Sequence, residues 1–290
     1  MQPSKPVQGV FAMSSTTRTM LITGVSSGFG RALAEEALAA GYRVVGTVRS
    51  EQAKQSFEAL NATSAFGRVL DVTDFDSIGD VVNEIEANVG PLDVLVNNAG
   101  YGHEGVMEES SLADMRRQFD VNVFGAVAVM KSVLPSMRER RRGHILNITS
   151  MGGFITMPGI AYYCGSKFAL EGISEVLGKE VKPFGIRVTA VAPGSFRTEW
   201  AGRSMVRTPR SIPDYDSLFD PIRKGREEKS GRQLGDPVKA ARAMLSVIES
   251  DEPPSHLLLG SDALGLVREK LSSLGAEFDV WEGITRSTDG

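Results

Sequence analysis

Tyr163 and Lys167 stand four residues apart in Ala-Tyr-Tyr-Cys-Gly-Ser-Lys-Phe-Ala-Leu, a stretch with few helix breakers. At roughly 100° per helical residue, four residues return a side chain to within about 40° of its starting direction. A phenol and an ammonium on one helix face can interact. The cation favours phenolate and draws the phenol pKa down from about 10 toward working pH. A tyrosine needs that property to act as a general acid or base. Tyr162 is five residues from Lys167 and points roughly 140° away, so it is not the partner. Taken alone, Tyr-x-x-x-Lys also describes a solvated helix face, and its meaning depends on the residues around it.

Those residues carry complementary chemistry. Ser150 closes a β-branched run, and its hydroxyl can hydrogen-bond a substrate carbonyl. Asn122, in Asp-Val-Asn-Val-Phe-Gly, falls within a helical pattern where asparagine costs helix stability. It is either exposed or held for a task, such as fixing a water on the way to Lys167. Near the N-terminus, Thr23-Gly24-Val25-Ser26-Ser27-Gly28-Phe29-Gly30 joins the first expected strand to the first expected helix. Glycines there allow a tight turn and bring a pyrophosphate close to the free N–H groups of a helix N-terminus. The second expected strand ends in Val48-Arg49, where a carboxylate usually binds a ribose 2′-hydroxyl. An arginine there pairs with a 2′-phosphate, which favours NADP(H) and leaves NAD(H) possible. Ser26 can add a hydroxyl to that pocket. Asp71-Val72 and Asn97-Asn98-Ala99-Gly100 follow the next two strands at the same sheet edge, where Asp71 can accept from an adenine amino group.

The elements that must position these groups follow from the pattern. Strands are expected at 20–23, 42–48, 66–70, 92–96, 144–149, 186–191 and 256–259. Helices are expected at 31–40, 51–60, 75–88, 112–140, 162–182, 237–250 and 264–274. This alternation implies βαβ units, a parallel sheet and helices on both faces. Ligands in such sheets bind beyond the carboxyl ends of the strands. Residues 196–236, rich in Arg, Pro, Ser and Asp, are too long for an ordinary connection, so they form a functional lid or stay disordered. Residues 1–18 read as a loose tail, with Met13 a possible native start, and 19–290 as one domain.

Composition narrows the rest. The chain has 290 residues, 41% hydrophobic and 23% charged, with a formal net charge of −4. Nucleic acid is not an indicated partner. Cys164 is the single cysteine and His103, His144 and His256 the only histidines, so neither a disulfide nor a metal site is expected. No apolar run reaches the roughly 20 residues of a membrane span, and no signal-peptide core is present, so a cytoplasmic protein is expected. Met151, Phe154, Met157, Phe196 and Trp200, with Tyr101 at the mouth, are candidates for an apolar pocket wall. His103 reads as a surface residue and Cys164 as a packing residue.

Thr-Gly-x-x-x-Gly-x-Gly, Asn-Asn-Ala-Gly, a serine and Tyr-x-x-x-Lys, in this order and spacing, resemble the short-chain dehydrogenase/reductase family; Pro193-Gly194-x-x-x-Thr198 is similar to another of its motifs. The resemblance covers about residues 19–262. The Val48-Arg49 pair is similar to the NADP(H)-using hydroxysteroid and retinol dehydrogenase branch. The resemblance implies a single-domain Rossmann fold, a doubly wound parallel sheet of about seven strands with helices on both faces. It implies that Tyr163 exchanges a proton with the substrate oxygen. Lys167 would lower its pKa and bind the nicotinamide ribose, Ser150 would polarise the carbonyl, and Asn122 would anchor a relay water. The cofactor would lie against Thr23, Gly24, Ser26, Ser27, Gly28, Phe29, Gly30, Arg49, Asp71, Val72, Asn98, Ala99, Gly100, Pro193, Gly194 and Thr198. It implies a small-molecule alcohol or ketone substrate and a homodimer or homotetramer paired through the helices near 112–140 and 162–182. Rival readings are an epimerase or dehydratase using the same Tyr-Lys pair, and a cofactor sensor without turnover.

Overall fold

A computed structural model describes residues 17–198, 200 and 202–290. The expected tail, Met13 included, lies outside them apart from Thr17 and Arg18. The elements in chain order are β1 (Thr19–Ile22), α1 (Gly28–Ala39), β2 (Arg43–Val48), α2 (Glu51–Glu58), β3 (Ala65–Val69), α3 (Phe75–Asn88), β4 (Leu92–Asn97), β5 (Gly102–Glu104) and α4 (Leu112–Phe119). There follow α5 (Ala126–Glu139), β6 (Gly143–Ile148), α6 (Ala161–Val181), β7 (Ile186–Pro193), β8 (Met205–Arg207), α7 (Asp216–Lys229), α8 (Pro237–Ile248), β9 (His256–Leu259) and α9 (Ser261–Arg286).

Seven strands form one parallel sheet in the order β3-β2-β1-β4-β6-β7-β9. Side chains alternate across a strand. In β1, Met20 and Ile22 join a core with α1 and α8, while Leu21 joins the opposite core with α3, α5 and α6. Both sheet faces are therefore covered, which explains strands that read as continuous apolar runs. The strand order reverses between β1 and β4, and this switch opens a crevice at the carboxyl ends of those strands.

Local signals set the helix ends. Gly41 takes φ +88° just after α1, the left-handed exit that glycine adopts most readily. Asp236 caps α8 by accepting from the amides of Val238 and Lys239, with Pro237 at the first helical position.

Three segments depart from the sequence pattern. The helix expected over 112–140 is α4 and α5 joined by a π-helical turn at Asp120–Gly125. Gly125 packs there against Val72, where a Cβ would lie 2.8 Å from the Val72 carbonyl oxygen. Residues 196–236 carry structure of their own. Within them β8 pairs with β5, and α7 seats Phe219 over Gly159, whose φ is +79° and whose missing Cβ leaves room for the ring. Two buried carboxylates tie this segment down. Glu104 accepts from Arg207 at 2.8 Å and Arg226 at 2.7 Å, and Glu109 accepts from Arg210 at 2.9 Å. The last helix does not stop at 274 but runs to Arg286. Among the described residues, no helix is long and apolar enough to cross a membrane.

Candidate active site

The N-terminal turns of α6 carry both residues of the Tyr163–Lys167 pair, each only 6% exposed. Lys167 Nζ lies 5.7 Å from the centre of the Tyr163 ring and donates to the Ile148 carbonyl at 2.8 Å, at the end of β6. Ser150 stands one residue beyond β6, after Thr149, and caps a 3-10 turn at Met151–Gly153, its Oγ accepting from the Gly152 amide at 3.0 Å. Gly152 packs between Ser150 and the Tyr163 ring. A Cβ there would stand 3.3 Å from both Ser150 Oγ and Tyr163 Cε1. Tyr162 is turned away, its hydroxyl donating to the Ser110 carbonyl at 2.9 Å.

Burial sets the ionisation of the pair. It pushes the Tyr163 phenol above its ordinary value, against the lowering influence of the neighbouring Ser150 and Trp200 side chains. It pushes the Lys167 ammonium down to about 8, against the attraction of the Glu171 carboxylate. The helical spacing alone points to a lowered phenol pKa. In the protein by itself, removing the phenolate from water outweighs the neighbouring cation.

Asn122 sits in the π-helical turn and is 1% exposed. Its side chain makes three bonds of 3.1 Å: Oδ1 accepts from the Tyr101 amide, and Nδ2 donates to the Tyr101 carbonyl and to Ser166 Oγ. π turns insert one extra residue and often mark functional sites. Here the turn aims Asn122 inward, at the helix that carries Lys167.

The glycine turn fits an anionic group. Ser27 caps α1 with extended backbone but gives no side-chain hydrogen bond to the helix amides. The N–H groups of that first turn are therefore left for another acceptor. Gly24 and Gly28 take φ +73° and +60°. A Cβ on Gly30 would overlap the Gly24 carbonyl oxygen and Asn98 Nδ2. Asn98 Nδ2 donates to the carbonyls of Thr23 at 2.9 Å and Gly24 at 2.8 Å, and Thr23 Oγ1 accepts from the amides of Asn98 and Ala99. A cavity of ≈ 290 Å³ lined by Ser27, Gly28, Arg197, Thr198, Gly231 and Pro237 opens beside this turn.

Ser26 and Arg49 are exposed, and Arg49 exerts a charge effect on Asp71. Asp71 accepts from the Thr73 amide and hydroxyl, which holds its carboxyl below the usual range. Val72 is buried against Gly125, and Phe29 packs edge-on to Phe196 at 5.1 Å. Pro193 ends β7, and the Gly194 amide donates to the Leu259 carbonyl at 2.8 Å. Thr198 faces Gly28, and its Oγ1 accepts from the Trp200 amide at 3.4 Å.

Only part of the expected apolar wall stands at the tyrosine. Met157 and Trp200 pack there, the Trp200 ring 5.0 Å from the Tyr163 ring. Phe196 belongs to the core beside α1, and Phe154 sits edge-on to His256 at 5.7 Å. His103, read from sequence as a surface residue, is buried. It stacks on Tyr162 at 5.2 Å and bonds Thr208 Oγ1 at 2.9 Å. Cys164 is buried, as expected of a packing residue.

Three supporting residues escape the sequence reading. Ser166 holds Asn122. Glu171, one helical turn beyond Lys167, is buried and bonded to Thr149 and His256. Asn147 joins Asn97 at 2.9 Å to Ser174 at 2.8 Å behind the site. A further four-residue step along the Tyr163–Lys167 face would have found Glu171.

Comparison with known proteins agrees with this geometry. Residues 18–206 match the family described as short chain dehydrogenase. Oxidoreductase BOA17 of Botryotinia fuckeliana is 36% identical over 270 residues, covering 93% of this chain and 98% of that protein. Human retinol dehydrogenase 8 is 38% identical over 256 residues, covering 83% and 81%. The 3-ketodihydrosphingosine reductase of Bacteroides thetaiotaomicron is 37% identical over 244 residues, covering 83% and 87%. Among solved structures, a short-chain dehydrogenase from Streptomyces avermitilis superposes with a TM-score of 0.89 at 40% identity, covering 96% of this chain and 100% of that one. ElxO with NADP bound superposes with a TM-score of 0.72 at 28% identity, covering 86% and 99%. With a matched family profile, a doubly wound sheet and a buried Tyr163–Lys167 pair facing Ser150, the chain belongs to the short-chain dehydrogenase family.

Proposed function

We propose that this protein is an NADP(H)-dependent oxidoreductase acting between an alcohol and a ketone of fairly apolar character. The observation that carries the reading is the buried Tyr163–Lys167 pair with Ser150 beside it across Gly152. In the ketone-reducing direction, Tyr163 donates its proton to the substrate oxygen, and Ser150 orients and polarises that carbonyl. Lys167 stabilises the tyrosinate left behind, and Asn122 anchors a water that returns the proton through Lys167. A bound nicotinamide supplies the hydride chemistry. The turn from Thr23 to Gly30, Asp71, Val72, Asn98, Ala99, Gly100, Pro193, Gly194 and Thr198 would hold that cofactor, with Lys167 also on its ribose.

The preference for NADP(H) rests on Arg49, an exposed guanidinium at the end of β2 where a carboxylate would select a 2′-hydroxyl. The NADP held by ElxO supports the same reading. Met157 and Trp200 around Tyr163 support an apolar substrate, as do relatives named for retinol and 3-ketodihydrosphingosine. Segment 196–236, which brings Trp200 over the tyrosine, serves as the substrate loop of a single domain spanning 19–290. Pairing through α5 and α6 is supported by exposed Phe124, Phe168 and Val176 and by an apolar groove of ≈ 330 Å³ between those helices. We place the protein in the cytoplasm.

The test is NADPH oxidation by the purified protein with aliphatic, aromatic, steroid and retinoid ketones. Steady oxidation with at least one ketone is expected, slower with NADH. Tight NADPH binding without turnover on any carbonyl would instead identify a cofactor sensor.

A further inference from the structure

Glu171 lies on the catalytic face of α6 but takes no part in the proton transfer from Tyr163. Tyr163, Lys167 and Glu171 follow one another at steps of four, each turned about 40° from the last. All three are 6% exposed. A buried ammonium is costly unless its charge is compensated. Among the described residues Lys167 makes no ion pair, and its Nζ donates to the uncharged Ile148 carbonyl at 2.8 Å. The carboxylate of Glu171, one helical turn further on, attracts that ammonium through space.

A buried carboxylate needs partners of its own, and Glu171 has one for each oxygen. Oε1 accepts from the Thr149 hydroxyl, and Oε2 accepts from His256 Nδ1 at 2.9 Å. A carboxylate only accepts, so this pairing puts a proton on His256 Nδ1. Burial lifts the Glu171 carboxyl above its ordinary range, against these two bonds and the charge of Lys167. His256 stands on the edge strand β9 with its side chain 35% exposed. Its Nε2 lies 3.9 Å from the Glu175 carboxylate, which Lys179 holds at 2.6 Å. A line of titratable groups therefore runs from Tyr163 in the crevice to His256 at the surface.

The same side chain supports the turn that presents Ser150. Thr149 precedes Ser150, and Gly153 ends the turn against Glu171, where a Cβ would lie 2.8 Å from Glu171 Cγ. We propose that Glu171 is a positioning residue: its carboxylate, clamped by Thr149 and His256, is the buried counter-charge of Lys167 and the group on which the Ser150 turn packs. The proposal rests on the ketone-reducing role of the Tyr163–Lys167 pair.

The test is the titration of Lys167 in the full-length protein without cofactor, followed by NMR of isotope-labelled lysine and assigned by the signal that Lys167→Met removes. Glu171→Gln keeps the volume and an acceptor for Thr149 but loses the charge. The ammonium then loses an attraction, so the Lys167 midpoint should move down by about one pH unit. His256→Phe should move it the same way by less, because an unclamped Glu171 takes up a proton more readily. The double variant should move it no further than Glu171→Gln. In ketone reduction at saturating NADPH, the kcat/KM deficit of Glu171→Gln should grow about tenfold between about pH 6.5 and about pH 9. Loss of packing alone would give the same deficit at every pH. An unmoved Lys167 midpoint in Glu171→Gln overturns the proposal, and so does a constant deficit. A double variant shifted by the sum of the single shifts also overturns it, since His256 would then act on Lys167 directly. A wild-type protein that reduces no ketone, with the midpoint moving as expected, would support the counter-charge and count against the oxidoreductase reading instead.

Discussion

The glycine turn at the N-terminus of α1 and the Tyr163–Lys167 site on α6 lie in one crevice but are built by opposite means. The turn is made of backbone: positive φ at Gly24 and Gly28, a missing Cβ at Gly30, and amides left open by Ser27. Its shape follows from glycine backbone, closed from the end of β4 by the Asn98 side chain. The α6 site is made of side chains whose chemistry is set by burial. The same four-residue step on a solvated helix would leave a tyrosine near 10 and a lysine near 10.4. Inside this protein the phenol is raised and the ammonium falls to about 8. One region fails when an atom is added, the other when a charge or its environment changes.

Adding an atom should have the largest effect. Gly30→Ala places a methyl group on the Gly24 carbonyl, which is backbone, and on the Asn98 side-chain amide, which two hydrogen bonds hold in place. A loss of about 3 kcal/mol in stability is expected, with cofactor affinity reduced at least about 100-fold. Urea denaturation and NADPH fluorescence titration measure both. Normal binding would mean the turn tolerates a Cβ and the backbone description is wrong.

Lys167→Met separates function from stability at the other region. Turnover should fall about 100-fold or more, while stability at neutral pH rises by about 1–3 kcal/mol. The sign follows from the lowered lysine pKa. Between about 8 and the ordinary lysine value the unfolded chain binds more protons, so native stability rises with pH. The cost of burying the charge is therefore full below about pH 8 and fades as pH climbs toward 10.4. The stability gap between variant and wild type, followed by urea denaturation from pH 7 to 10, should shrink. A constant gap would mean Lys167 does not lose its proton in this range.

Arg49→Asp should act more mildly, because the residue is exposed. The NADPH-over-NADH ratio of kcat/KM should drop about tenfold, and an unchanged ratio would remove Arg49 from the 2′-phosphate site.

The same contrast explains what could be read from sequence. The βαβ order, the glycine turn and the Tyr163–Lys167 face were legible because they depend on local spacing. The π-helical turn at Asn122 was not, because a one-residue slip within a helix leaves apolar periodicity nearly intact on either side. His103 and Phe196 were misplaced because burial depends on which distant segment arrives: Thr208 for one, Phe29 and Gly235 for the other. Glu171 went unread because its partners Thr149 and His256 are remote in sequence. The full length of α9 was missed because glycines at 275 and 283 weaken the helical signal.

The central claim is that Tyr163 moves the proton. Tyr163→Phe removes one oxygen and leaves the ring against Trp200, so the comparison is clean. Measured side by side, NADPH affinity by fluorescence titration should stay within about twofold of wild type. Ketone-dependent NADPH oxidation should fall about 1,000-fold. Turnover near the wild-type rate in this variant would contradict the assignment.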